Sequence, residues 1–194
     1  MRATIIGLTG RRQVGKSTIA NMLVEEFGFQ RVHPFDGGKA MCMAMFERYG
    51  ATADEAYRMV NGDLKDTASD ILPGRATPRD LMEPFGKFMG VEMGPDWTIS
   101  MELKRILRAV PDARLVVESV VYEVDALRDL GGAVAMVTRA GSTTAGLNTD
   151  AVVAGIDPDF VIANDGNDLS RLRQDLDEVI SALEMPERDA EMAL

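Results

Sequence analysis

Eight residues near the start, Gly10-Arg11-Arg12-Gln13-Val14-Gly15-Lys16-Ser17, constrain this chain more than any other stretch, because of what stands on either side of them. Residues 3–9 form a short run rich in β-branched side chains that ends at a glycine, the pattern of a buried strand feeding a tight turn. Ile19, Met22, Leu23 and Phe27 then recur at helical spacing, and Gly28 stands where a helix C-terminal glycine would. Gly10 and Gly15 allow backbone angles and close approaches that a side chain would forbid, so successive amides between them can turn inward onto an anion. The helix N-terminus adds positive potential. Spacing and context together are those of a Walker A phosphate-binding loop.

The chemistry of such a loop assigns roles. The backbone of Gly10, Arg11, Gln13, Val14 and Gly15 is expected to cradle the phosphates of a nucleoside triphosphate, read as ATP. Lys16 should bridge β- and γ-phosphate oxygens, and the Ser17 hydroxyl should take a magnesium position. Thr18 is placed to touch the α-phosphate. Arg11 and Arg12 either steady the transferred phosphate, which makes Arg12 a catalytic candidate, or are solvated loop charges.

Beyond the loop, strands alternate with helices. Strands are expected at 31–35, 115–117, 133–138 and 160–163, and helices at 39–49, 53–60, 78–90, from Pro95 to Pro111, 123–130 and 169–183. That alternation predicts a three-layer α/β fold, a parallel sheet of about five strands with helices on both faces. We read one domain over 1–185, with mobile inserts at about 62–78 and 141–154, and an acidic tail at 186–194.

Composition narrows the partners. A net charge of −10 repels nucleic-acid backbones and anionic membranes unless cations are concentrated locally. The apolar start is too short to span a bilayer and lacks a signal-peptide pattern, and Cys42, the single cysteine, cannot form an intramolecular disulfide. The reading is a cytoplasmic protein with no membrane partner. Met41, Met43 and Met45 are expected to fill core space. His33, the only histidine, is expected in a strand in a structural role, which leaves no histidine cluster for a metal.

Further motifs follow the loop in order: Phe35-Asp36-Gly37-Gly38-Lys39, Thr77-Pro78-Arg79-Asp80-Leu81 with Phe85-Gly86, Asp96-Trp97, Glu118 at the third strand's end, Gly131-Gly132, Thr138-Arg139-Ala140-Gly141, and Asn164-Asp165-Gly166. In this series the chain resembles the bacteriophage deoxynucleoside monophosphate kinases, P-loop kinases related in fold to adenylate kinase. The resemblance covers most of the chain and implies ATP- and magnesium-dependent transfer to a small mononucleotide acceptor. It implies that Arg79 and Lys39 fix the acceptor phosphate and that Asp36 serves the substrate as hydrogen-bond acceptor or base, with a helix N-cap as its other reading. Glu118 would join Ser17 at the metal. Trp97 would be a wall of the base pocket or a core residue. Arg139 would flank the donor adenine by stacking, and Asn164 and Gly166 by backbone contacts. A homodimer is compatible with this reading.

Two departures weaken the acceptor's identity. Family members carry an arginine shortly after the third-strand acid, whereas here Ser119, Val120, Val121 and Tyr122 follow, and a histidine-bearing segment is replaced around Leu147-Asn148-Thr149-Asp150. Either another arginine such as Arg139 substitutes, or the acceptor is not a free mononucleotide. The alternatives are a kinase of 5-hydroxymethyl-pyrimidines in phage DNA, in which case DNA is a partner, and a catalytically silent nucleotide-binding protein.

Overall fold

Five parallel strands run in the order β2-β3-β1-β4-β5, with β1 at Thr4–Thr9, β2 at Gln30–Val32, β3 at Arg114–Glu118, β4 at Ala133–Thr138 and β5 at Phe160–Ala163. The structure is a computed structural model and describes residues 3–141, 150–165 and 169–184. β1 lies at the centre because its residues suit burial on both faces: Ile5, Ile6 and Leu8 are all within 2% of complete burial. Alternation sends Ile6 and Leu8 to one face, where they meet α1 (Lys16–Phe27) and α8 (Leu169–Glu184) through Ile19, Leu23, Leu172, Leu176 and Ile180. Gly7 points to the other, against Leu127 of α6 (Val124–Asp129). The sheet is therefore covered by helices on both faces, as predicted.

The chain divides into two compact units, Met1–Val32 with Leu103–Leu194, and His33–Glu102. The first holds the sheet. The second is helical and contains α2 (Asp36–Arg48), α3 (Ala53–Asn61), α4 (Pro78–Lys87) and most of α5 (Pro95–Leu107). Its core is formed by Cys42, Phe46, Ala56, Met59, Val60, Leu72 and Met82. α3 and α4 each open on a capping box, Thr52 with Glu55 and Thr77 with Asp80, which satisfies N-terminal amides that would otherwise stay unpaired.

Several sequence expectations shift. β2 stops at Val32, short of the expected 31–35, because the Asp36 carboxylate takes the His33 N–H (2.9 Å) and Pro34 has none to give. His33 therefore lies outside the strand. α2 begins at Asp36 and not at Lys39; Phe35 is its N-cap, so Asp36 is not, and Gly37 and Gly38 lie inside its first turn. A Cβ on Gly38 would stand 2.0 Å from the Phe35 ring, so the residue expected to break the helix lets it start.

α4 ends at Lys87 and passes into a π-helical turn, Phe88–Glu92, closed by Met93 N–H to Phe88 O at 3.1 Å. α5 ends at Leu107, beyond which the Ala109 N–H bonds Ile106 O three residues back at 2.9 Å, and Val110 is exposed. Met43 and Met45 pack against the helical core as expected, whereas Met41 is 59% exposed.

The segment 62–78 carries two short 3-10 turns, Asp63–Asp66 and Pro73–Arg75, and Leu64, Ile71 and Leu72 from it pack into the helical core. A short helix not foreseen, α7 (Asp150–Ala154), falls in the other expected insert. The segment Leu147-Asn148-Thr149, Gly166 and the tail at 186–194 lie outside the described residues.

Candidate functional site

The loop after β1 has the geometry its sequence predicts. Gly10 (φ 135°) crosses β4 so closely that a Cβ would lie 2.5 Å from the Val137 carbonyl oxygen. Gln13 also takes a positive φ of 61°. Gly15 (φ 96°) is the N-cap of α1, and neither a side-chain cap nor an acidic residue occupies that helix's first turn. Val14 is buried in the sheet core, while Arg11, Arg12 and Gln13 lie exposed at the loop's crest. Lys16 Nζ donates to the carbonyls of Gly10 and Arg11, both at 2.8 Å, folding back over the loop it belongs to.

Ser17 and Glu118 are brought together. Glu118 ends β3 opposite Leu8 of β1, one residue short of the loop's own strand end, and accepts a hydrogen bond from Ser17 Oγ. A hydroxyl and a carboxylate side by side are hard oxygen ligands of the kind magnesium takes, and they fit it. Among the described residues no group of three or more His, Cys, Asp or Glu could hold a metal by itself. A magnesium here would draw its other ligands from phosphate and water, as that ion commonly does.

Sequence reasoning missed Arg31. Its Nη1 stands 3.6 Å from Glu118 Oε2, and its Nη2 reaches Ser17 O at 3.5 Å and the side chain of Asn21. The register pairs Arg31 with Val116, so its side chain extends along β3 to the carboxylate at the strand's end. The signal available was an arginine on the expected second strand, indistinguishable in sequence from an edge charge. Where the resembling kinases carry arginine after the acid, Val120 is fully buried and its N–H donates to Leu8 O at 2.9 Å. Glu123 pins the same loop by accepting the amides of Val121 and Tyr122, each at 3.0 Å. Burial raises its pKa, against those same backbone hydrogen bonds.

Beyond β4 and β5, Arg139 is exposed and Asn164 is buried. Asn164 Nδ2 donates to Val14 O at 2.9 Å, so its side chain is engaged with the phosphate loop. Thr18, expected at the α-phosphate, is exposed on the first turn of α1.

The remaining candidates lie in the helical unit. Asp36 accepts from His33 N–H and from Lys39 Nζ, the latter at 2.9 Å. Arg79, second residue of α4, forms a two-pronged pair with Asp66, its Nη2 at 2.9 Å from Oδ2, and lies 3.8 Å from Glu83. A cation in a helix's first turn meets the wrong end of the dipole, and these carboxylates offset that. Lys65 joins them: burial, then Arg79 and Lys39, lower its pKa, while Asp66 and Glu83 oppose the shift. Sequence reading passed over Lys65 because it sits in the 62–78 segment.

His33 Nδ1 accepts the Phe35 N–H at 3.0 Å, which requires the neutral ring. Burial first, then Lys39, bring its pKa down to about 3, with Asp36 opposing and Lys65 assisting. Trp97 is 55% exposed, so the core reading of it is set aside.

No protein-family model and no curated protein matches the chain. Among solved structures, TT1252 from Thermus thermophilus aligns with a TM-score of 0.48 and 20% identity over 95% of this chain and 100% of its own. Dephospho-CoA kinase from Campylobacter jejuni aligns at 0.46 and 16% over 92% and 96%, and shikimate kinase from Bacteroides thetaiotaomicron at 0.39 and 12% over 94% and 99%. Similarity of this degree says nothing of this chain's substrate. Its α/β fold with a P-loop stands on the strand order and on the geometry of residues 10–17.

Proposed function

We propose that this chain is a phosphotransferase that moves the γ-phosphoryl group of ATP, with magnesium, to a deoxynucleoside monophosphate, giving the diphosphate and ADP. One observation carries the transferase part. α1 begins at a glycine with no side-chain cap, directly behind the central strand, with Lys16 and the Ser17–Glu118 pair in its first turn and beside it. That is an anion site built with a mobile cation and a divalent-metal position at one edge of the sheet, where open α/β sheets take ligands.

Lys16 exchanges its two carbonyl partners for phosphate oxygens and neutralises charge that builds as the bond between the β,γ-bridging oxygen and γ-phosphorus breaks. Ser17 and Glu118 would hold a magnesium ion, whose charge would screen the phosphates. Arg79 and Lys39 receive the acceptor phosphate, whose oxygen forms the new bond to phosphorus. Positioning and charge neutralisation supply the rate. The acceptor assignment rests on the order of motifs from Phe35 to Gly166 and on the cations Lys39, Lys65 and Arg79 in one unit; the net charge of −10 argues against DNA.

The test is product identification with γ-labelled ATP, magnesium, and each deoxynucleoside monophosphate or hydroxymethyluracil-containing DNA supplied separately. Label in a deoxynucleoside diphosphate is the expected result. Label in the DNA alone would reassign the acceptor, and label in neither would leave a nucleotide-binding protein.

A further inference from the structure

Asn164 is one of four buried polar or charged side chains among the described residues, and a buried carboxamide must be used inside the protein or destabilise it. It follows β5 directly. Its backbone N–H donates to Thr138 O at 2.8 Å, so the residue is fixed at the end of the β4–β5 pair. From there Nδ2 reaches Val14 O at 2.9 Å, across 150 residues of sequence. The fit is close: a Cβ on Gly15 would lie 1.9 Å from that nitrogen.

Val14 C=O and Gly15 N–H belong to one planar trans peptide and point in opposite directions. Fixing the carbonyl toward Asn164 therefore fixes the amide away from it. We infer that Asn164 is a positioning residue for phosphate binding: by holding the Val14 carbonyl and filling the space beside Gly15, it sets the direction of the Gly15 N–H in the loop. Gly15 is thereby required on two counts, its positive φ and the carboxamide packed against it. This role differs from contact with the donor base, and it rests on the reading of residues 10–17 as a triphosphate cradle.

The test uses Asn164→Ala and the near-isosteric Asn164→Asp in the full chain, with thermal unfolding as the control for folding. Affinities for ATP and for inorganic tripolyphosphate, each with magnesium, are measured by displacement of a fluorescent ATP analogue. Loss of the donor leaves the Val14 carbonyl unheld, and Asn164→Ala is expected to weaken both ligands about tenfold. Asn164→Asp is expected to weaken both further, since a carboxylate oxygen then faces the carbonyl and adds negative charge beside the loop. Weakened ATP with unchanged tripolyphosphate would overturn the inference in favour of a base contact. A lowered Tm with unchanged affinity for both would overturn it in favour of a purely structural role. Wild-type protein that binds neither ligand would overturn the cradle reading itself, and this inference with it.

Discussion

The first turns of α1 and α4 each carry a cation, and the two are held differently. At α1, Lys16 rests on backbone carbonyls and the N-terminus has no side-chain cap. At α4, Thr77 and Asp80 close a capping box, and Arg79 is held by Asp66 and Glu83. A phosphate oxygen carries more negative charge than the carbonyls that Lys16 touches, so an arriving polyanion competes well for the ammonium, and the N-terminal amides of α1 add to the attraction. An arginine already paired with carboxylates must exchange one anion for another. The first terminus is built to receive a polyanion; the second holds its cation ready behind a competing ion pair.

Removing Lys16 should produce the largest effect. Lys16→Ala is expected to slow phosphoryl transfer about 100- to 1,000-fold, in the range for loss of one preorganised charge-stabilising group. Its circular dichroism and Tm should remain those of the wild type. Equal activity in a folded variant would erase the distinction between the two termini.

Glu118→Gln should come next, with a decline of about 10- to 100-fold and a higher magnesium requirement, read from rate against magnesium concentration. A loss of rate with no change in magnesium dependence would place Glu118 outside the metal site.

A smaller effect separates the α4 terminus from α1. Arg79→Ala should raise the acceptor KM and leave the ATP KM alone, whereas Asp66→Asn should lower the acceptor KM by up to about fivefold, the size of a partly exposed ion pair. An acceptor KM that rises in Asp66→Asn would mean that the carboxylate aims Arg79 and does not compete for it.

The last prediction concerns acid. His33 titrates near pH 3 in the fold and near its ordinary value of about 6.5 when unfolded. Between those values the unfolded chain binds the extra proton, so stability falls as pH drops from about 6.5 toward 3, with no contribution from His33 above that window. The slope of stability against pH should flatten in His33→Gln. An unchanged slope would assign the acid sensitivity to other groups.

The same contrast explains what could be read in the sequence. The α1 terminus was legible because strand, loop and helix are contiguous, so Gly10, Lys16 and Ser17 declare their roles by spacing alone. Glu118 could be placed by its position at the end of an apolar run, and the structure sets it against Ser17. Arg31 and Asn164 could not be assigned their contacts, since these depend on which strands become neighbours in the order β2-β3-β1-β4-β5. In the helical unit, side-chain pairs decide the local structure. The Asp36 carboxylate on the His33 amide shortens β2, and the pairing of Arg79 with Asp66 links α4 to a segment that composition marked only as polar. Such pairs carry no periodic signal, so the start of α2 and the turns at 63–66 and 73–75 emerged only in three dimensions.

The most direct measurement is acceptor-dependent ADP release by the wild-type chain and by Lys16→Ala, with ATP, magnesium and each deoxynucleoside monophosphate in turn. Release that rises with one mononucleotide and falls about 100- to 1,000-fold in Lys16→Ala is the expected result. Release that no acceptor stimulates, or that survives in the folded variant, would contradict it.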